Sequence, residues 1–177
     1  MKKLILLIIS SFLFGCASQA TEPADDAVVA ISVADIRADA SVLAGKHYVS
    51  TGQPDEIILS IARDAGFVAI VDLRGEGEDR GFDEVAATEA LGLRYVALPV
   101  ADAADVNFEN AAALGRILDE IDGPVLLHCA SGNRVGALIA LHASATGASD
   151  EDAMAAGKAA GLTRLEPVVQ ERLAETP

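Results

Sequence analysis

Residues 125–134 read Val125-Leu126-Leu127-His128-Cys129-Ala130-Ser131-Gly132-Asn133-Arg134 and are the most informative segment of the chain. Its first four residues have the length and apolarity of a strand that is buried on both faces of a sheet. A tight loop with a glycine follows, and the sequence turns helical from Arg134 to Ala145. Because ligands of open α/β sheets bind at the carboxyl ends of the strands, this pattern predicts a functional loop around Cys129.

The composition of this loop is typical of an anion-binding site with a nucleophile. A helix N-terminus offers free N–H groups and the positive end of a dipole, which together with Arg134 favour the thiolate form of Cys129. Gly132 allows the main chain to curl, and Arg134 can hold two oxygens of a tetrahedral oxyanion. We therefore expect Cys129 and Arg134 to be catalytic. The expected substrate-binding residues are His128, Ala130, Ser131, Gly132 and Asn133.

Strand-like and helical patterns alternate along the rest of the chain. Strand candidates lie at residues 47–51, 67–71 and 93–100, with helical patterns between them, and residues 67–71 form a continuous apolar run. Such alternation implies βαβ units with right-handed crossovers and helices on both faces of one sheet. The sequence therefore predicts a three-layer αβα fold with a central, mostly parallel sheet of four to five strands.

The first residues have the pattern of a targeting segment. A short basic start precedes an apolar run, and Leu13-Phe14-Gly15-Cys16 resembles the lipobox of bacterial lipoproteins. The resemblance implies lipidation of Cys16 and a membrane anchor in the bacterial cell envelope, on the outer membrane and facing the periplasm. The alternative is an ordinary secretory peptide cut after Ala17 or Ala20. The predicted divisions are a signal peptide at residues 1–15, an acidic tether at residues 16–40 and a folded domain at residues 41–177.

The charge of the chain restricts its partners. Residues 1–15 contain two of the 13 basic residues, Lys2 and Lys3, and none of the 27 acidic residues. Their removal therefore changes the formal charge from −14 to −16. Affinity for nucleic acid depends on neutralising phosphates with Lys and Arg, so we expect no nucleic-acid partner. The sequence has no Cys, His and carboxylate cluster at metal-ligand spacing, so we expect neither a metal nor another cofactor.

Together with three other segments, the Cys129 loop resembles a known family. These segments are Gly52-Gln53-Pro54, Val71-Asp72-Leu73-Arg74, and the run from Leu93-Arg94-Tyr95-Val96 to Pro99-Val100. Over about residues 45–145 the chain is similar to the bacterial phosphatase-like domains found beside beta-lactamase-hydrolase-like domains. It resembles the dual-specificity and tyrosine phosphatases more distantly. This similarity implies a cysteine-phosphatase-like fold.

The resemblance also implies a mechanism. In these phosphatases the cysteine attacks phosphorus to form a phosphocysteine, the arginine binds the phosphoryl oxygens, and an aspartate from an earlier loop protonates the leaving oxygen. By position, Cys129 and Arg134 take the first two roles, and His128 resembles the histidine that supports the loop. Asp102 and Asp105 both follow a strand end, and we expect Asp102 to be the acid because it stands closer to that end. The expected function is hydrolysis of a phosphorylated substrate of unknown identity.

Two departures from the phosphatase pattern leave alternatives open. Four residues separate Cys129 from Arg134, whereas tyrosine phosphatases have five, and the sulfur-carrying loops of rhodaneses share the shorter spacing. Val135 stands where phosphatases usually have a Ser or Thr whose hydroxyl helps the thiolate leave. The alternatives are therefore a rhodanese-type sulfurtransferase and a non-catalytic lipoprotein that binds an anion or a partner.

Overall fold

The central element of the fold is a sheet of parallel strands. The computed structural model describes residues 27–175. The strands within this range are β1 (Val28–Ala30), β2 (Tyr48–Thr51), β3 (Ala69–Asp72), β4 (Arg94–Ala97) and β5 (Val125–His128). Their order in the sheet is β1-β2-β5-β3-β4, and every neighbouring pair is parallel. β5 therefore occupies the middle of the sheet, between β2 and β3.

Helices cover both faces of this sheet. One face carries α1 (Val33–Ala38), α2 (Glu56–Asp64) and α3 (Glu84–Ala90), and the other carries α4 (Phe108–Asp119), α5 (Asn133–Ala145), α6 (Asp150–Ala159) and α7 (Glu166–Ala174). Short 3-10 helices lie at Ala40–Leu43 and Ala103–Asp105. Successive strand residues alternate between the two faces, so Leu126 packs under α2 while Leu127 packs under α5. All residues of β5 are consequently buried.

Side chains of Asp and Asn define where several helices begin. Asp55, Asp83 and Asn107 each accept a hydrogen bond from an N–H group in the first turn of α2, α3 and α4. Such caps satisfy N–H groups that have no acceptor within the helix, and each contributes about 1 kcal/mol of stability. The caps therefore set the length of the loops between the sheet and the helices, including the loops at the carboxyl end of the sheet.

Two glycines bring α5 and α6 into close contact. A Cβ atom added to Gly136 would lie 2.1 Å from the main-chain nitrogen of Leu162 and 2.6 Å from the carbonyl oxygen of Gly157. No side chain fits at this position, so the main chains of the two helices approach each other directly. This packing holds the start of α5, and with it the predicted anion loop, against the segment that follows α6.

The predicted three-layer fold is confirmed, but the boundary between tether and domain is wrong. β1 pairs with β2 in the register Val28↔Tyr48, and Ile36 of α1 is completely buried in the core. The folded domain therefore includes residues 28–40, which the sequence assigned to the tether. A strand of three residues and a helix of six residues give too short a periodic pattern to stand out among small and acidic neighbours.

The remaining N-terminal predictions lie outside the described residues. They concern the signal peptide at residues 1–15, lipidation of Cys16 and the first part of the tether, and they stay predictions. Among residues 27–175, none of the helices has the length and apolar character needed to cross a membrane.

Candidate active site

Cys129 is the first residue after β5 and lies at the centre of the carboxyl edge of the sheet. It is 1% exposed and belongs to the apolar cluster between the sheet and α4 to α7. The thiol therefore lies beneath the loop and not on the protein surface. The position is the one predicted from the sequence, since β5 is flanked by strands on both sides and its end is where ligands of such sheets bind.

The loop from Ala130 to Gly132 has the features of an anion cradle. Gly132 has φ = 77°, in the left-handed region, and forms the N-cap of α5. The main chain of Gln53 donates a hydrogen bond to the carbonyl oxygen of Ala130 at 3.3 Å, which attaches the loop to the end of β2. Within residues 27–175, the main-chain N–H groups of Ala130, Asn133 and Arg134 donate no hydrogen bond. These N–H groups, at the positive end of α5, are available to an oxyanion.

Arg134 connects the loop to two other parts of the chain. Its two terminal nitrogens donate to the two carboxylate oxygens of Glu78, and one of them also donates to the carbonyl oxygen of Val100 at 2.8 Å. The hydrogen bonds to Glu78 raise the pKa of the Arg134 guanidinium, burial opposes them, and the interaction with Cys129 raises the pKa further. The sequence did not indicate Glu78, because 56 residues separate it from Arg134 and no local pattern marks the pair.

The two candidate acids differ in their position. Asp102 is exposed and lines a depression of about 280 Å³ together with Ser131 and Arg134. Its carboxylate accepts a hydrogen bond from the N–H of Ala104 at 2.7 Å. Asp105 does not line this depression, and its carboxylate accepts from the N–H of Ala101 at 2.7 Å. Of the two, Asp102 alone shares the depression with Arg134, and its role as the acid stays a prediction.

Of the predicted substrate-binding side chains, Ala130 and Ser131 are exposed at the site, whereas Asn133 serves a different purpose. The carboxamide oxygen of Asn133 accepts hydrogen bonds from the N–H of Thr163 at 2.8 Å, the hydroxyl of Thr163 at 3.1 Å and the N–H of Leu165 at 3.3 Å. This oxygen is thus occupied by the loop between α6 and α7. Asn133 also lines the depression beside Arg134, so what it can offer a bound anion is N–H groups and not its oxygen.

His128 points to the opposite face of the sheet, into a buried ionic cluster. Its Nε2 atom lies 2.8 Å from Oε1 of Glu84 and 3.8 Å from Oδ1 of Asp72. Arg74 donates to both oxygens of Asp72, at 2.9 and 2.8 Å, and also to Glu84. The side chains of all four residues are completely buried. His128 therefore supports the loop from below and does not face the substrate depression, which corrects its predicted role in substrate binding.

The electrostatics of the cluster centre on Asp72. Burial alone would raise the pKa of its carboxyl group, but the hydrogen bonds from Arg74, the attraction of His128 and the hydrogen bond from the hydroxyl of Tyr95 lower the pKa to about 2. For Tyr95, burial and the bond to Asp72 raise the pKa to about 12. The carboxylate of Asp72 therefore stays ionised at every physiological pH.

The same cluster contains a set of potential metal ligands that spacing along the chain does not reveal. Oxygen and nitrogen atoms of Asp72, Glu84 and His128 lie within 4.8 Å of one another. Arg74, however, donates hydrogen bonds to both carboxylates and so supplies a positive charge at the position that a cation would need. The residues therefore fit an internal ion-pair network better than a metal centre.

Comparison with known proteins gives the same fold. A family model described as a DSP-PTPase phosphatase fused to NAD+ kinase matches residues 29–171. A candidate phosphatase from Neisseria meningitidis is 22% identical, with a TM-score of 0.59 over 70% of this chain and 89% of that one. A candidate phosphatase of the DUF442 family from Shewanella putrefaciens is 24% identical, with a TM-score of 0.54 over 71% and 81%. Tk-PTP, in its active form, is 19% identical, with a TM-score of 0.52 over 71% and 90%.

At these identities the solved structures show similarity of fold alone. No curated protein matches the chain significantly. The expected resemblance to dual-specificity phosphatases is confirmed by the family match, whereas the finer resemblance to the domains beside beta-lactamase-hydrolase-like domains stays a prediction.

Proposed function

Since this chain belongs to the family of dual-specificity-type phosphatases described as fused to NAD+ kinase, we propose that it hydrolyses phosphate monoesters with Cys129 as the nucleophile. The observation that carries the proposal is the placement of Asp102 in one depression with Arg134 and the Cys129 loop. A general acid beside an anion cradle serves the cleavage of an ester, whereas sulfur transfer has little need of one.

In the first step, the thiolate of Cys129 attacks phosphorus while the bond from phosphorus to the ester oxygen breaks. Asp102 gives its proton to the leaving oxygen, so that the product leaves as an alcohol. Arg134 and the N–H groups at the start of α5 stabilise the negative charge on the three remaining phosphoryl oxygens. This step forms a phosphocysteine and leaves Asp102 as a carboxylate.

In the second step, water attacks the phosphocysteine. The Asp102 carboxylate takes a proton from this water, the bond from sulfur to phosphorus breaks, and inorganic phosphate and the thiolate of Cys129 result. Val135 has no hydroxyl with which to stabilise the departing thiolate. We therefore expect the second step to limit the rate.

The burial of Cys129 determines how a substrate reaches it. At 1% exposure, the thiol is accessible only to a group that enters the loop itself. A phosphoryl group that fits between the N–H groups of the loop and the guanidinium of Arg134 satisfies this requirement. Ala130 and Ser131 are the exposed residues of this loop, so the phosphoryl group approaches the thiol from their side.

The proposal is tested with the purified protein and two substrates. We expect release of 4-nitrophenol from 4-nitrophenyl phosphate, with no activity in Cys129→Ser, and accumulation of a phosphocysteine after rapid acid quenching. Thiosulfate with cyanide is the second substrate, because the spacing of four residues between Cys129 and Arg134 is shared with rhodaneses.

The controls separate the three functions. Formation of thiocyanate without phosphatase activity would replace the proposal with a sulfurtransferase. Binding of phosphate without turnover of either substrate would indicate a non-catalytic anion-binding protein. Ser41→Ala is a control for the expression and purification of the variants. Ser41 lies in a 3-10 helix far along the chain from the Cys129 loop, so this variant should keep wild-type activity.

We also propose that the protein is attached to the bacterial envelope through lipid on Cys16. The support is the lipobox-like segment at residues 13–16, after an apolar run with a basic start. Labelling of cells with a palmitate analogue should tag the wild-type protein and not Cys16→Ala. A label that persists in Cys16→Ala would contradict the proposal, and a soluble secreted product would favour the ordinary secretory peptide.

A further inference from the structure

A second arginine lies at the rim of the candidate active site. Arg164 is an exposed residue of the loop between α6 and α7, and it lines the same 280 Å³ depression as Arg134, Asp102 and Ser131. The sequence did not indicate it, because 30 residues and two helices separate it from the Cys129 loop. The fold therefore brings two guanidinium groups to one small concavity.

The charge of Arg164 is not used by the protein itself. Within residues 27–175, this side chain has neither a carboxylate within salt-bridge distance nor a hydrogen-bond partner. Arg37 and Lys158, by contrast, pair with Asp55 and Glu166. Lys46 and Arg116 are also exposed without a carboxylate partner within the described residues, but neither of them lines this depression. In a chain with 27 acidic and 13 basic residues, an arginine without an acidic partner at the rim of an anion cradle is available to a ligand.

The main chain on both sides of Arg164 is attached to the anion loop. Asn133, which directly precedes Arg134, accepts hydrogen bonds from the N–H groups of Thr163 and Leu165 and from the Thr163 hydroxyl. Asn133 is 7% exposed, so these bonds are protected from solvent. The main chain of Arg164 is thus fixed relative to Arg134. Binding of a ligand to both residues therefore loses less conformational freedom than it would with Arg164 on a flexible loop.

We propose that Arg164 binds a second oxyanion of the substrate, so that the preferred substrate is a small phosphate monoester that carries a further phosphoryl or carboxyl group. This inference rests on the proposed phosphatase function of the same site. Arg134 and the loop hold the phosphoryl group that is cleaved, and the planar guanidinium of Arg164 donates hydrogen bonds to two oxygens of the second group. The second group does not react, so its contact contributes to binding and not to the chemical step.

The test compares three esters of one carbon skeleton by the release of inorganic phosphate. They are 3-hydroxypropyl phosphate, 3-phosphooxypropanoate and 1,3-propanediol bisphosphate, which differ only in the charge of the second group. We expect the wild-type protein to have a lower KM for the two doubly functional esters. Arg164→Gln should raise these two KM values about fivefold, the effect of one partly exposed charge pair, with kcat unchanged. The KM for 3-hydroxypropyl phosphate should not change.

Two further variants make the comparison specific. Arg164→Lys retains the charge and should recover part of the lost affinity. Arg116→Gln removes another exposed arginine, on α4 and outside the depression, and should match the wild type on all three esters. Equal effects of Arg164→Gln on all three esters, or no effect on any, would overturn the inference. A change confined to the bisphosphate or to the carboxylate would identify the second group.

Binding measured without turnover separates this inference from the proposed function. Titration calorimetry with Cys129→Ser should give tighter binding of the bisphosphate than of 3-hydroxypropyl phosphate, and Arg164→Gln in the same background should remove the difference. If the wild type hydrolyses none of the esters but this difference is found, the phosphatase proposal fails and the second anion site stands. If hydrolysis is found without the difference, the phosphatase proposal stands and the second anion site fails.

Discussion

At the scale of single residues, the candidate site combines charged side chains that come from three separate segments. Arg134 lies in the first turn of α5, Asp102 follows β4, and Glu78 follows β3. Glu78 holds both terminal nitrogens of Arg134, whereas Asp102 has no contact with this arginine within salt-bridge distance. The proton-transfer role of Asp102 and the positioning role of Glu78 can therefore be separated by substitution.

The role of Asp102 is tested with a pair of amide substitutions. Asp102→Asn removes the proton donor, so we expect kcat on an alkyl phosphate to fall by about 100-fold or more. With 4-nitrophenyl phosphate the loss should be smaller, because nitrophenolate leaves without protonation. Steady-state kinetics with both esters measures this contrast.

Asp105→Asn is the matched control for this prediction. Asp105 lies three residues away and binds the N–H of Ala101, but it does not line the depression. We expect Asp105→Asn to act on both esters to the same degree, through the shape of the loop. If Asp105→Asn shows the dependence on the leaving group and Asp102→Asn does not, the two roles are exchanged.

Glu78 is expected to hold Arg134 in the orientation that receives phosphate. Glu78→Gln keeps the size of the side chain but replaces one acceptor oxygen with an amide, so one of the two bonds to Arg134 is lost. We expect kcat/KM to fall about tenfold, which corresponds to a charge-assisted hydrogen bond of about 1.4 kcal/mol. The inhibition constant of vanadate should rise in parallel.

Glu76→Gln is the control, since Glu76 is exposed and precedes Glu78 by two residues. This variant should match the wild type. Activity in Glu78→Gln above that of the wild type would instead mean that the Glu78 carboxylate competes with the substrate for Arg134.

At the scale of elements, the position of the anion loop depends on α5. The helix is buried along most of its length between the sheet and α6. Its first turn carries Arg134, and its second turn contains Gly136, which touches the main chain after α6. A change in the packing of α5 against α6 therefore displaces the loop that the substrate binds.

Gly136→Ala tests this packing. The added methyl group would lie 2.1 Å from a main-chain nitrogen, which cannot move without the whole segment. We expect a loss of about 3 kcal/mol in the free energy of unfolding, at the upper end of the usual cost of overpacking. Urea denaturation followed by circular dichroism measures it.

Gly77→Ala is the control for the glycine substitution, because a Cβ atom at Gly77 meets nothing within 4 Å. We expect its stability to equal that of the wild type. A loss below about 1 kcal/mol in Gly136→Ala would show that α6 can move away from α5 without disrupting the core.

At the scale of the whole molecule, the sheet and the central loop are predictable from the sequence, whereas most contacts at the site are not. The Cys129 loop stands out because strand, glycine, arginine and helix follow one another within ten residues. The pairs between Arg134 and Glu78 and between His128 and Glu84 join distant segments of the chain, so no local pattern indicates them. β1 escaped prediction because it is a short edge strand in a segment with the composition of a tether.

The buried ionic cluster is expected to make global stability depend on acid pH. The pKa of Asp72 is about 2 in the folded protein and has its ordinary, higher value in the unfolded chain. As the pH falls, the Asp72 carboxylate is therefore protonated at a higher pH in the unfolded chain than in the folded protein. The stability contributed by Asp72, about 2 kcal/mol, is present above about pH 4 and is lost as the pH falls through about 2.

The measurement compares the wild type with Asp72→Asn by urea denaturation at several pH values. The asparagine variant is expected to lose about 3 kcal/mol or more at neutral pH, because it leaves part of a buried ion pair uncompensated. The difference between the two proteins should shrink towards low pH. If Asp72→Asn does not fold, Tyr95→Phe, which removes one donor to Asp72, should shift the acid transition upward. A difference that is constant with pH would contradict the expectation.

The attachment of the loop after α6 to Asn133 also predicts how its amide protons behave in heavy water. A proton in a hydrogen bond to a buried acceptor exchanges with solvent only when that bond opens. The amide protons of Thr163 and Leu165 should therefore exchange for deuterium as slowly as those of β5, although both residues lie in a surface loop. The amide proton of Arg164, between them, should exchange fast. The loop would thus open only together with the core, while the side chain at its tip stays free to meet a ligand.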